Sequence, residues 1–164
     1  MSHGVIRTDR MYGTDVGAAL VSFKYYDSDT PADIDNGCVV KLTGLMDGER
    51  ELFKAEAPTA ADKLEDCVIV ASPEVLYDER KKNLDEFYNE AGKAARGYRF
   101  HSGDIFSVTA DVLTGTMAKG DVVELAAGNK MNTAASATDS ATAIGKIIAV
   151  ETAGRYTYYV IAVA

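Results

Sequence analysis

Two histidines, two cysteines and a run of aspartates are the residues of this 164-residue chain whose types could do chemistry. A nucleophile–histidine–carboxylate arrangement would have to use His3 or His101. His101 stands beside the turn sequence Ser102-Gly103-Asp104, where a lone histidine reads as a surface or strand-edge residue. Cys38 and Cys67 lie outside any Cys-x-x-Cys or Cys/His cluster and read as buried thiols. A Cys38–Cys67 disulfide is the alternative that the sequence leaves open. With only His3 and His101 to join them, the spacing is wrong for structural zinc.

The stretch Asp27-Ser28-Asp29-Thr30-Pro31-Ala32-Asp33-Ile34-Asp35-Asn36-Gly37 spaces its aspartates as a calcium loop does. The template fails. Pro31 and Ala32 stand where an acidic ligand and the turn glycine belong, and Cys38 stands where the bidentate glutamate belongs. It reads as an acidic, solvated connector. No glycine-rich phosphate loop, no Gly-x-Ser-x-Gly elbow and no identifiable pair of facing carboxylates is present. The expectation is no catalytic residue, no metal and no cofactor.

Composition narrows the partners. A formal charge of −8 disfavours a broad basic face for nucleic acid, and disfavours docking on an anionic membrane. No apolar run approaches the ~18 residues of a membrane helix. The start, Met1 to Arg7, lacks a basic segment followed by an apolar one, so the chain is expected to fold in a cytoplasm.

The elements that would position these residues are mostly short strands. Residues 1–30 form the first unit and residues 31–164 a β-rich domain. In Val16 to Tyr26, Ala19, Val21, Phe23 and Tyr25 share one face if the segment is extended. That strip is either the first strand of the domain or an arm that lies on another subunit. On the arm reading, the contact residues are Val5, Ile6, Tyr12, Leu20, Phe23 and Tyr25. Strands are expected at Cys38–Leu42, Arg50–Ala55, Cys67–Ala71, Ile105–Val108, Val122–Leu125, Ala143–Val150 and Tyr156–Val163, punctuated by Asn36-Gly37, Asp47-Gly48, Ser102-Gly103, Lys119-Gly120 and Ala153-Gly154. One short α-helix is expected around residues 81–91, where Leu84, Phe87, Tyr88 and Ala91 recur at helical spacing before Gly92. Ala95-Arg96-Gly97-Tyr98-Arg99 reads as a basic connector or as a patch for an acidic partner. The fold class is mainly β, a barrel or sandwich-like domain with an extended N-terminal arm.

Several stretches share an order with one group of proteins. They are Asp35-Asn36-Gly37-x-Val39-Val40-x-Leu42, Phe53-Lys54-Ala55-x-Ala57-Pro58, Tyr98-x-Phe100-x-x-Gly103-Asp104-x-Phe106-Ser107-Val108, Gly120-Asp121-Val122-Val123, and Ile144-Gly145-Lys146 with Tyr158-Tyr159-Val160. Over residues 35–164 the chain resembles the capsid decoration (cement) proteins and related head structural proteins of tailed bacteriophages. The resemblance implies a non-enzymatic protein of the virion exterior that bridges major capsid protein subunits, with self-association into a homo-oligomer such as a trimer left open. A head fibre, connector or tail component is the alternative within virions. A small β-barrel enzyme or ligand-binding protein is the alternative of another class, with a pocket near His101, Asp104 or Tyr156–Tyr159.

Overall fold

The computed structural model describes residues 2–81 and 83–164. Its strands, in chain order, are β1 (Ile6–Arg10), β2 (Leu20–Asp27), β3 (Thr30–Pro31), β4 (Val39–Leu45), β5 (Leu52–Glu56), β6 (Cys67–Val70), β7 (Ala95–Arg99), β8 (Ile105–Val108), β9 (Leu113–Gly115), β10 (Val122–Glu124), β11 (Met131–Ala134), β12 (Ala143–Ala153) and β13 (Tyr156–Val163). The fold is mainly β, as the alternation and turn chemistry predict.

Two sheets divide these strands. The first runs β3-β2-β5-β4-β6-β7, and an additional β2–β7 pairing closes its last five strands into a barrel. The second has seven strands in the order β1-β8-β13-β12-β10-β11-β9. Closure removes the free edges that an open five-stranded sheet would expose. The barrel strands contribute Phe23, Ala55, Val68, Ile69 and Val70, all fully buried. The second sheet buries Phe106, Val123, Met131, Ile144, Ile147 and Ile161, and both sets belong to one continuous core. Backbone bonds stitch the sheets together: the Val39 N–H donates to the Asn129 carbonyl at 2.8 Å, and the Thr142 N–H to the Ala60 carbonyl at 2.8 Å.

Residues 2–30 are built into this body and do not form an extended arm. β1 pairs antiparallel with β8. β2 is the closing strand of the barrel, parallel to β5 and antiparallel to β7. The apolar alternation at Val21, Phe23 and Tyr25 faces the chain's own core, so the strip is the first strand of the domain. The boundary at residue 30 falls inside β3, the short antiparallel partner of β2.

The expected helix at residues 81–91 is also corrected. Its described residues hold one 3-10 turn, Leu84–Glu86, and the short α-helix lies at Tyr12–Asp15 (α1) instead. A lone helix of this length is marginal in water. Here Asn89 exchanges backbone bonds with Ile34 in both directions, and its side-chain amide donates to the Ile34 carbonyl and the Asn36 Oδ1. Those tertiary bonds hold Phe87 in an extended conformation and end the helical path after one turn. Ala95–Arg99, read as a connector, is strand β7. Arg96 faces solvent, and Gly97 lets Val68 approach where a Cβ would lie 2.5 Å from its methyl.

The glycine starts of β4 and β10 match the repeated Gly-x-Val-Val pattern: Gly37 and Gly120 adopt φ of +90° and +93°. Gly145 is required for another reason. A Cβ there would sit 1.9 Å from the Ala162 carbonyl oxygen across the β12–β13 ladder. Gly145→Ala should therefore lower stability by about 2–4 kcal/mol, read as the midpoint of denaturant unfolding. Gly17→Ala, which meets nothing within 4 Å, serves as the neutral control.

Candidate interaction surface

The residues singled out from sequence do not form a surface. Val5, Ile6, Phe23 and Tyr25 are buried, and Leu20 is half-buried against the core. Tyr12 alone is well exposed, and its ring stacks on His101 at 4.2 Å. Val5, Ile6, Phe23 and Tyr25 are therefore not docking contacts, because burying an apolar side chain in the chain's own core removes it from any partner.

The titratable residues are occupied in holding loops. The His3 ring nitrogen Nδ1 lies 2.7 Å from Asp35, whose other oxygen accepts from the Gly4 N–H, and the ring stacks on Tyr88 at 4.7 Å. No serine, threonine or cysteine side chain bonds that imidazole among the described residues. Asp104, buried, accepts from the N–H groups of Tyr12 and His101 and so ties α1 to the turn before β8. The aspartates of the 27–37 stretch point to separate partners: Asp29 to Lys54, Asp33 to the Ala91 N–H and Asp35 to His3. No group of three or more possible metal ligands occurs among the described residues. Cys38 and Cys67 are free and buried. Their flanking ladder pairs Val39 with Ile69 and Lys41 with Cys67, which sets the two thiols several ladder steps apart. Burial pushes both thiols up to about 12, far from the thiolate a nucleophile needs.

Three loop-holding carboxyls are displaced downward. The Lys41 ammonium, then the Thr59 N–H, hold Asp62 below the ordinary carboxylate range. The Thr116 hydroxyl and the Ala118 N–H do the same for Asp121. For Glu124, burial by itself pushes the group up, and the hydroxyl and N–H of Thr138 with the Asn132 amide outweigh it, so the carboxyl ends low.

What remains open is the long connector between β6 and β7. It rims a groove of about 550 Å³ lined by Val75, Leu76, Tyr77, Phe87, Tyr88 and Arg96 among others. A smaller cleft of about 280 Å³ shares Ser72, Pro73 and Arg96 with it and reaches Arg7 on β1. Val75 is 53% exposed, Tyr77 92% and Leu84 41%. These are large apolar side chains offered to water, on a scaffold that buries most of the others. The hairpin of β12 and β13 adds Ile148 and Val150 elsewhere, braced by Arg7, which bonds Glu151 at 2.9 Å and lies over the Tyr158 ring. Neither cavity is lined by His101, Asp104, Tyr156 or Tyr159. Sequence reading passed over Pro73–Arg80. The signal was there in Val75, Leu76 and Tyr77, an apolar cluster that follows no helical or strand period and is flanked by charge.

Searches against family models, curated proteins and solved structures find no match to this chain. No helix among the described residues is long and apolar enough to cross a membrane.

The carboxyl geometry sets the acid response. A group whose folded pKa lies below its unfolded value of about 4 stabilises the fold above that value, and the contribution disappears as pH falls through the folded pKa. Asp62, Asp121 and Glu124 all have this sign. Stability should thus decline from about pH 5 downward. Glu124→Gln should lose about 1–2 kcal/mol at pH 7 and show a shallower acid decline, measured by urea unfolding at a series of pH values.

Proposed function

We propose that this chain is a structural protein of a tailed-phage virion, of the capsid decoration type, that docks on major capsid protein subunits and bridges them from outside. The observation that carries the reading is the β6–β7 connector. It holds Val75, Tyr77 and Leu84 out in water on a body whose backbone is otherwise pinned by ladders and carboxylate caps. A rigid scaffold with a few exposed aromatic and aliphatic side chains suits binding by a small set of anchor residues. Many copies on a symmetric shell need only modest affinity each, since bridging makes the later contacts intramolecular. The turn-then-strand motifs shared with decoration proteins support the same reading, and the closed barrel supplies the rigidity.

The mechanism differs from an arm laid across a neighbour. Anchoring passes to the connector, and residues 2–30 serve as scaffold. In particles of the virus that encodes this chain, it should co-sediment with intact heads in many copies and leave them under mild chaotrope before the shell opens. Tyr77→Ala with Val75→Ser should weaken head binding by tenfold or more at unchanged thermal stability. Chain found only in tail or connector fractions, or free of particles altogether, would contradict the reading.

A further inference from the structure

In the groove beside the β6–β7 connector the acids are paired and two of the cations are not. Its acids are engaged: Asp78 bonds Arg80 through both oxygens, Glu90 pairs with Lys93, and Glu86 accepts from the Asn83 N–H. Its remaining cations are not. Neither the Lys81 ammonium nor the Arg96 guanidinium makes a salt bridge or side-chain hydrogen bond among the described residues, and both are exposed. Lys81 acts on Asp78 and Glu90 only as a minor, through-space contribution to their lowered pKa. A protein of net charge −8 thus sets two uncommitted cations at the rim of its apolar groove.

The backbone adds a second feature. Val75 donates only to the Pro73 carbonyl, and the N–H groups of Leu76 and Tyr77 and the carbonyls of Glu74 to Tyr77 make no hydrogen bond among the described residues. These residues carry no turn or helix assignment, and the backbone at 74–77 is left to water. Unpaired N–H and C=O groups on an exposed stretch are what an added strand uses, while side-chain pockets choose which strand is taken.

We infer that the groove binds an extended polypeptide segment of a partner protein that alternates apolar and acidic residues. Its apolar side chains lie against Val75, Tyr77 and Phe87, its backbone bonds to residues 74–77, and its carboxylates meet Lys81 and Arg96. The inference takes the docking role of the connector from the function proposed above. It adds the chemistry of the segment that docks. A lysine-bearing segment would be repelled at both cations, so charge sets selectivity here more than raw affinity.

The test uses the full chain and three end-capped octapeptides of identical apolar residues, carrying aspartate, glutamine or lysine at the alternate positions. Binding is followed by backbone amide chemical shifts up to millimolar peptide. The aspartate peptide should bind about three- to tenfold more tightly than the glutamine peptide, with the advantage fading at high salt. Its shifts should centre on residues 74–77. Lys81→Glu with Arg96→Glu should abolish the preference, whereas Lys119→Glu, on a distant exposed turn, should leave it intact. Equal binding of the three peptides, preference for lysine, or no binding would overturn the inference. So would concentration-dependent self-association lost in the double reversal, which would make a second copy the occupant. None of these results depends on a viral shell, so failure here and failure of head co-sedimentation are separate outcomes.

Discussion

Closure of the barrel by β2 is the constraint on which the other features depend. The strand pairs Ser22 to Tyr25 in parallel with Leu52 to Ala55, and Leu20 to Phe23 antiparallel with Tyr98 to Ala95. A parallel pairing cannot come from a hairpin, so β2 must be brought to β5 by long-range packing. The fully buried Phe23 ring supplies that packing beside Val68 and Gly97. With β2 in place the barrel has no free edge. The chain before it then runs back to the second sheet as β1, with Val5 accepting from and donating to Thr109. Residues 2–30 are thereby scaffold, and the proposed docking role falls to a segment that closure leaves outside.

That segment is the β6–β7 connector. Both strands it joins are barrel staves, and their ladder continues through Val68–Arg99, Ile69–Tyr98 and Val70–Gly97. The connector leaves the barrel at one end and returns at the same end, tethered through Asn36, whose amide donates to the Ser72 carbonyl and whose oxygen accepts from the Ser72 N–H. Further tethers come from Asn89 on Ile34 and from the Tyr156 hydroxyl, which meets the N–H and the carboxylate of Asp85. It is held at both ends and open between them. Elsewhere Asp62, Asp104, Asp121 and Glu124 accept from loop N–H groups and hold those loops closed.

The strands that alternate or run apolar between glycine turns were legible: β4, β5, β6, β8, β10, β12 and β13 lie where the pattern places them. Their signal is local, since a buried face and a turn both sit within a few residues. The misreadings share one cause. Ala95–Arg99 looks basic because Arg96 and Arg99 are not buried and Gly97 contributes no apolar side chain. The helical spacing at Leu84 to Ala91 is real, but the bonds of Asn89 to Ile34 and Asn36 are long-range and leave no local trace. Ala19, Val21, Phe23 and Tyr25 were legible as an apolar strip. Whether its cover was the same chain or another depends on the parallel β2–β5 pairing, which no spacing in the sequence records. The open groove was the least legible feature, because exposure of Val75 and Tyr77 is a property of what fails to cover them.

Amide hydrogen exchange of the isolated chain tests this account most directly, because protection follows the ladders and the open backbone alike. The account predicts that the amides of Val21 to Tyr25 exchange as slowly as those of Val68 to Val70, in one cooperative unit, while Leu76 and Tyr77 exchange at nearly the rate of an unstructured peptide. Rapid exchange across Val21 to Tyr25 with the remaining barrel strands still protected would contradict it, since β2 would then be a detachable arm.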